Sequence, residues 1–392
     1  MTERPGPTAI PWRRRMMPRD PRETHRASTP LELFFDLCFV VAVSQDSTEL
    51  AHYVSEGRVG VAVVSYLLVF FTIWWAWMGF TWYASAFDVD DAPYRFCVMI
   101  VMAGVLVLAA GVGPAFEHRD FGVIFAGYVV MRLGLETLRA RAAAADPARR
   151  RTMVRYMIGE TGCMAGWALV IFVLPRPVML WGFVVMAVAE LLVPGWAERV
   201  EATPWHPDHI AERYGLFTII VIGESVLSAT NAVRAALEEH ATPGLLMVAA
   251  GGLLTVFGVW WMYFSLPAAG LLDRLAAALS WGYAHYVIFA TGAAIGAGIE
   301  VNVARTAGEV EIPVAVAGAA VTVPVAVCLT VIWLTQVRPH GPDAPASWVI
   351  PVVGALVLGA SFTPWPLPAT GVLMALLVVA GVVLHARKGP VG

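Results

Sequence analysis

The chain has 392 residues, of which 58% are hydrophobic and only 14% are charged, with a net charge of −3 and a mean hydropathy of +0.69. Soluble globular proteins carry roughly 25% charged residues, so the composition excludes an ordinary soluble protein. The apolar residues come in runs of about 20, long enough for a helix to cross the ~30 Å hydrocarbon core of a bilayer. The sequence therefore predicts an all-α, polytopic membrane protein that is embedded in the lipid bilayer.

The predicted elements begin with an Arg-rich arm at 1–29, which lacks the apolar stretch of a signal peptide. We expect this arm to be disordered and cytoplasmic. A six-helix half at 30–194, a cytoplasmic linker at 195–208, a second six-helix half at 209–386 and a cytoplasmic tail at 387–392 follow it. The twelve predicted spans are 30–53, 60–84, 95–114, 121–138, 153–174, 177–194, 209–230, 243–265, 275–299, 312–336, 346–363 and 367–386.

The distribution of basic residues predicts the orientation. Nineteen of the 26 Lys and Arg residues fall on the side of the N-terminus in this topology, against five on the other side. Cytoplasmic segments carry the excess of Lys and Arg in membrane proteins. We therefore expect both termini to be cytoplasmic.

Two helix starts carry capping signals. Thr29 is predicted to be the N-cap of the first span, with Pro30 at the first helical position and Glu32 reaching back to the free backbone donors. Asp208 is predicted to cap the seventh span, where Glu212 favours the positive end of the helix dipole. Thr29, Glu32 and Asp208 are thus interpreted as structural.

The first half also carries ionisable residues too deep to cap a helix. Asp36 lies about 9 Å into its helix at 1.5 Å per residue, and a charge at a helix centre costs roughly 2.5–3.5 kcal/mol. Arg132 lies within the fourth predicted span, and the carboxylates of Glu136, Glu160 and Glu190 are its candidate partners. These residues form either a functional site or a paired structural cluster.

The second half has similar features. Glu224 lies about 15 residues into its span, His285 lies near the middle of its span, and Glu300 lies at the outer end. His285 is either a proton carrier or a neutral, hydrogen-bonded core residue. We predict that Asp36, Glu212 and Glu224 contribute to one polar site between the halves.

Two pairs of segments indicate an internal repeat. "FFTIWWAW" at 70–77 resembles "VFGVWWMY" at 256–263, and "ELFFDLCFVVAVSQ" at 32–45 resembles "ERYGLFTIIVIGES" at 212–225. The offsets of 186 and 180 residues are similar and keep the same order. The pattern predicts a parallel duplication of a six-helix unit, related by an axis along the membrane normal.

Other chemistry is not indicated. The four cysteines fall in or at the edge of spans without ligand spacing, and we expect them to pack as small apolar residues. No metal, no cofactor and no nucleic-acid partner is predicted. The acidic loop "FDVDDAPYR" at 87–95 is interpreted as solvated charge whose Asp residues start the next helix.

Four stretches resemble the bacterial low temperature requirement A (LtrA) family. They are "PLELFFDLCFVVA" at 30–42, "TWYASAFDVDD" at 81–91, "HIAERYGLFTIIVIGESVL" at 209–227 and "YAHYVIFATGAAIGAGIE" at 283–300. The resemblance runs from residue 28 to about 385. It implies a multi-span protein of the bacterial inner membrane, with functional positions at Glu32, Asp36, Glu212 and Glu224. The family name comes from a cold-growth phenotype and implies no reaction.

Three functions remain open. The twelve spans, the repeat and the deep ionisable residues favour a transporter, or a proton- or ion-coupled carrier, of an unknown small molecule or ion. A membrane enzyme acting on a lipid or isoprenoid-like substrate is the first alternative, with Asp88, Asp90 and Asp91 as its acidic cluster. The second alternative is a non-catalytic sensor or assembly factor with a structural polar network. A protein that is not an enzyme is favoured.

Overall fold

A computed structural model describes residues 12–20, 23, 26–238, 243–340 and 348–386. These residues include helices and no strand. A 3-10 turn at Ala269–Leu271 and a π-helical turn at Trp333–Val337 interrupt the helical series. The helices are α1 (Pro30–Ser55), α2 (Val59–Phe87), α3 (Ala92–Ala110), α4 (Val112–His118), α5 (Gly122–Ala145), α6 (Arg150–Phe172), α7 (Arg176–Ala197), α8 (Pro207–Glu238), α9 (Pro243–Tyr263), α10 (Leu275–Ala307), α11 (Val314–Ile332), α12 (Arg338–His340), α13 (Val349–Ala360) and α14 (Pro366–Ala386).

The helices confirm a polytopic membrane protein. Among the described residues, seven helical stretches are long and apolar enough to cross a bilayer: Val59–Phe87, Ala92–His118, Arg176–Ala197, Pro243–Tyr263, Leu275–Ala307, Val314–His340 and Pro366–Leu384. The other predicted spans coincide with α1, α5, α6, α8 and the short α13. The first two residues of the span predicted at 346–363 lie outside the described residues. The count of twelve crossings stays a prediction.

Contacts divide the chain into two compact units. Unit 1 comprises Met1–Ala42 and Trp75–Ile210, and unit 2 comprises Val43–Trp74 and Ala211–Gly392. The first break falls inside α1 and the second falls inside α2, so both helices contribute to both units. The predicted halves divide the chain elsewhere, at 195–208, and stay a prediction.

The two Trp pairs of the predicted repeat lie in different surroundings. Trp74 and Trp75 are 1% and 8% exposed, whereas Trp260 and Trp261 are 44% and 45% exposed. The duplication therefore also stays a prediction.

Close helix packing fixes α5 in unit 1. A Cβ added to Gly104 of α3 would lie 2.6 Å from the carbonyl oxygen of Gly127 in α5, and the reverse distance is the same. Paired small residues of this kind let two membrane helices approach at backbone distance. The polar face of α5 is held in place by this contact.

The described part of the N-terminal arm is docked on unit 1. The backbone N–H of Arg14 donates to Asp91 at 2.8 Å, and the buried sulfur of Met16 lies 2.8 Å from the hydroxyl of Tyr83. Composition alone does not reveal these contacts of Arg14 and Met16, and the disorder predicted for the arm at 1–29 stays a prediction. Residues 1–11, 21–22 and 24–25 of the arm, like the predicted tail at 387–392, lie outside the described residues.

Candidate functional site

The start of α1 contains a reciprocal pair of hydrogen bonds. The backbone N–H of Glu32 donates to Oγ1 of Thr29 at 3.3 Å, and the backbone N–H of Thr29 donates to Oε2 of Glu32 at 2.8 Å. This is the geometry of a capping box. Oε1 of Glu32 also lies 3.1 Å from Nε2 of His209, and both side chains are buried. Glu32 therefore caps α1 and also contacts α8.

The start of α8 differs from its prediction. The helix begins at Pro207, so Asp208 is exposed within the first turn instead of preceding it. Nδ1 of His206 accepts from the backbone N–H of His209 at 3.4 Å and takes the place predicted for the carboxylate of Asp208. Pro207 at the first helical position places the cap two residues earlier than the Asp208 signal suggests.

Asp36 is fully buried within unit 1. The indole N–H of Trp77 donates to its Oδ1 at 2.7 Å. Glu212 and Glu224 both belong to unit 2, where Glu212 is exposed and Glu224 is half-buried. The polar site predicted to unite Asp36 with these two residues stays a prediction.

A buried polar cluster joins α5, α6 and α7 in unit 1. Both Arg132 and Arg139 donate through Nη1 to Oε2 of Glu160. Nη2 of Arg132 lies 3.5 Å from Oε2 of Glu190, and Nη1 of Arg139 lies 3.1 Å from Oε1 of Glu136. We call these five residues the unit 1 cluster. Glu160 is its centre because it contacts both guanidinium groups.

Two indole groups fix the far side of the unit 1 cluster. Nε1 of Trp75 donates to Oε2 of Glu190 at 2.9 Å, and Nε1 of Trp167 donates to Oε1 at 3.3 Å. Each carboxylate oxygen of Glu190 thus accepts one indole hydrogen bond. The sequence pointed to Arg132 and the three glutamates but missed Arg139, because the predicted span ended at residue 138 whereas α5 continues to Ala145.

The acidic loop before α3 is a structural element. Asp91 is the N-cap of α3 and accepts from the backbone N–H of Tyr94 at 2.8 Å. This agrees with the prediction that the Asp residues of the loop start the next helix. Nη2 of Arg141 lies 2.6 Å from Oδ2 of Asp91. Burial opposes ionisation of Asp91, but the hydrogen bonds from Arg141, Arg14 and Tyr94 outweigh it and hold the pKa below its usual value.

The other two aspartates of the loop are also paired. Nε of Arg95 lies 2.6 Å from Oδ1 of Asp90, and Nη1 of Arg19 lies 3.9 Å from Oδ2 of Asp88. Among the described residues, no group of three His, Cys, Asp or Glu side chains could hold a metal ion.

Burial, followed by the nearby charge of Glu32, raises the pKa of Asp88 to about 6 although Arg26 and Arg19 oppose the shift.

This raised pKa predicts a pH-dependent stability. The folded state binds the Asp88 proton more tightly than the unfolded state, so the contribution of Asp88 is fully present below about pH 4 and is lost as the pH rises through about 6. We expect Asp88→Asn to gain thermal stability relative to the wild type between pH 5 and pH 7.5, by at most about 3 kcal/mol. Thermal unfolding in detergent at both pH values measures this difference.

The matched control for Asp88 is the exposed Asp273. Asp273→Asn should follow the wild type at both pH values. An Asp88→Asn protein whose stability difference from the wild type does not change with pH would contradict the prediction.

His285 of unit 2 is a hydrogen-bonded core residue. Its Nδ1 lies 2.8 Å from the carbonyl oxygen of Trp281, so Nδ1 carries the hydrogen and donates. Its Nε2 lies 2.9 Å from the hydroxyl of Tyr263, which therefore donates to the ring. The ring is fully buried, and its centroid lies 3.9 Å from that of Trp281. These contacts fit a neutral, hydrogen-bonded imidazole, and the choice between the two roles open for His285 stays a prediction.

Glu224 and Glu300 are within electrostatic range of each other in unit 2. The hydroxyl of Ser44 donates to the carboxylate of the half-buried Glu224. Glu300 is exposed near the end of α10. This acidic pair is therefore more accessible than the unit 1 cluster.

The sequence prediction missed Asp46 of α1. Asp46 is fully buried, and neither carboxylate oxygen has a hydrogen-bond partner among the described residues. It stands in the polar run "SQDSTEL" at 44–50, which is unusual inside an apolar helix. That run is the signal in the sequence that could have identified Asp46.

Comparison with known proteins identifies the family. The family model of the bacterial low temperature requirement A protein (LtrA) matches residues 27–384. The chain is also 32% identical over 252 residues to a protein of Rhizobium meliloti (strain 1021) named "Uncharacterized protein RA0937". That match covers 61% of this chain and 58% of the relative, so the chain spans less than two thirds of the relative's length. The extent of the family match means that the chain belongs to the bacterial LtrA family.

Proposed function

We propose that the protein is a cation- or proton-coupled carrier and that its unit 1 cluster binds the transported or coupling cation. Three carboxylates in this cluster face two guanidinium groups, so the fully ionised cluster carries one net negative charge. Four of the five residues lie within predicted spans and Arg139 follows one of these spans directly. The excess negative charge of this buried cluster is the observation that carries the proposal.

The physical argument concerns the third carboxylate. A charge at the centre of a membrane helix costs about 2.5–3.5 kcal/mol on insertion scales, and opposite charges nearby offset that cost. A cluster that served only to hold helices together would be best stabilised at zero net charge. An additional carboxylate becomes favourable when a proton or another cation joins the cluster, and intramembrane acids of this kind mark ion pathways.

Glu136 is the carboxylate best placed to meet that cation. Glu160 is held by two arginines, and Glu190 is held by Arg132 and two indoles. Glu136 is bonded to Arg139 through Oε1, and its Oε2 has no hydrogen-bond partner among the described residues. Its side chain is 19% exposed, compared with 7% for Glu160 and 1% for Glu190. Glu136 also interacts with the side chain of Glu160. It is therefore the most accessible carboxylate of the cluster.

The acidic loop does not favour the enzyme alternative. Asp88, Asp90 and Asp91 each lie within ion-pairing distance of an arginine, and Asp91 also caps α3. Binding of a metal–diphosphate would have to displace these arginines. The loop thus fits a structural role better than a catalytic one.

Cation flux tests the proposed function. The full-length protein in proteoliposomes should carry at least one cation among protons, Na⁺, K⁺ and a small organic ammonium ion down an imposed gradient. Glu136→Gln should lose this flux while keeping most of its thermal stability, because the variant cluster has two carboxylates for two guanidinium groups. A pH-sensitive dye inside the vesicles and tracer uptake measure the flux.

The exposed Glu117 gives a matched substitution for this test. Glu117→Gln should carry the cation as the wild type does. The proposal fails if none of the four cations moves faster than in protein-free vesicles, or if Glu136→Gln is as active as the wild type.

A further inference from the structure

Asp46 in unit 2 is a buried acidic residue whose protonation state depends on its surroundings. Its carboxylate is fully buried, and neither oxygen accepts a hydrogen bond from the described residues. Burying an ionised carboxylate without a partner costs far more than burying its neutral form. The surroundings of Asp46 therefore determine which form the folded protein holds.

The nearby hydroxyl groups do not donate to Asp46. Tyr66 of α2 and Tyr286 of α10 lie within electrostatic range of the carboxylate. The hydroxyl of Tyr66 donates to the carbonyl oxygen of Ala290 at 2.5 Å, and that of Tyr286 donates to the carbonyl oxygen of Leu67 at 2.8 Å. Each hydroxyl has one hydrogen to donate. Both hydrogens are thus committed to backbone carbonyls.

The adjacent residue shows the same arrangement. The hydroxyl of Ser47 donates to the carbonyl oxygen of Ala293 at 3.0 Å. The hydroxyl oxygens around this part of α1 retain acceptor capacity but have no free hydrogen for a carboxylate. Because burying a neutral carboxylic acid without a partner costs far less than burying a carboxylate, the protonated form fits these surroundings better.

The charged groups near Asp46 also disfavour a negative charge. Within its electrostatic range in the described chain, α1 contributes Glu49, α2 contributes Tyr66 and α10 contributes Tyr286. None of these is a cation. A metal ion would need several oxygen ligands, as hard cations do, and no group of three ligating side chains occurs among the described residues.

We propose that Asp46 is a proton-binding site, occupied by a proton in the folded protein and exchanging it with water through Glu49. The proton adds to one carboxylate oxygen of Asp46, and no bond between heavy atoms forms or breaks. This occupancy goes beyond the proposed carrier function and does not rest on it.

Glu49 provides the route to water. It lies three residues after Asp46, which places both side chains on the same face of α1 one turn apart. Glu49 is half-buried, and α1 ends six residues later at Ser55. A proton released by Asp46 therefore has an acceptor between the buried site and the helix end.

Infrared spectroscopy of the full-length protein tests the occupancy directly. The C=O stretching band of a protonated carboxylic acid should be present in the wild type near neutral pH and should lose intensity in Asp46→Asn. The exposed control Asp273→Asn should keep the full band. Transfer into D₂O should shift the Asp46 band, and the shift should be slower in Glu49→Gln than in the wild type.

The conservative variant Asp46→Glu serves if Asp46→Asn does not fold, because it retains an acid and should shift the band without removing it. Asp46→Asn or Asp46→Glu spectra identical to that of the wild type would overturn the occupancy. Unchanged exchange in Glu49→Gln would overturn the route. Neither result depends on the flux of Glu136→Gln, so failure of this inference and failure of the carrier proposal are separate outcomes.

Discussion

Replacing Glu160 with Gln is expected to lower the free energy of unfolding by about 3–5 kcal/mol, the range seen when one partner of a buried ion pair is removed. Glu160 accepts from both Arg132 and Arg139 through one oxygen. In the variant, a neutral amide would replace the carboxylate that both buried guanidinium groups contact, so both of these contacts would be weaker. Thermal or denaturant unfolding of the purified protein in detergent measures the loss.

Glu136→Gln is the matched control for this prediction. It makes the same chemical change in the same cluster and the same change in net charge, but Glu136 contacts only one arginine at hydrogen-bonding distance. It should cost much less stability than Glu160→Gln. Equal losses in the two variants would show that net charge, and not the bridging position of Glu160, determines the stability of the cluster.

Gly298→Ala is expected to destabilise unit 2 by about 1–3 kcal/mol or more, as overpacking of a well-packed core does. An added Cβ at Gly298 in α10 would overlap the backbone carbonyl of Ala320 in α11, whose carbon lies 2.6 Å away. The amide of Asn302 also holds the two helices together by donating to the carbonyl oxygens of Gly298 and Ala317 at 2.7 Å. The helix backbones would have to separate, and unfolding measurements report the cost.

Gly381 of α14 offers the opposite case. A Cβ at Gly381 meets no atom within 4 Å. Gly381→Ala should therefore be neutral or stabilising by up to about 1 kcal/mol, because Ala favours a helix interior more than Gly. If both Gly→Ala variants changed stability in the same direction and by the same amount, close packing at Gly298 would not be the cause.

Helix positions could be predicted because they depend on the length of apolar runs. The predicted span at 30–53 corresponds to α1 at Pro30–Ser55, and the span at 275–299 lies within α10 at Leu275–Ala307. Helix ends were less predictable because polar residues continue a helix beyond its apolar part. The seventh predicted span ended at residue 230, whereas α8 continues to Glu238.

A candidate site residue could be predicted only where placing its charge within its own apolar segment would cost free energy. Asp36 and Arg132 stood out because each lies deep in an apolar run. Arg139 did not, because it lies one residue beyond its predicted span, and Asp46 did not, because it stands among other polar residues at 44–49. The surroundings of both residues depend on side chains distant in sequence. The contact between Glu32 and His209 joins residues 177 positions apart, and no local sequence pattern predicts such a pair.

The docked arm has a consequence for biogenesis. Arg15 donates to the carbonyl oxygen of Ala145, 130 residues later, and the carbonyl oxygen of Glu23 lies 2.7 Å from Nε2 of His206, 183 residues later. The ribosome releases the arm first, yet these partners are synthesised only after α5 and α7. The arm therefore waits undocked during translation, and its protection from protease reports that the last helices of unit 1 have been inserted and assembled.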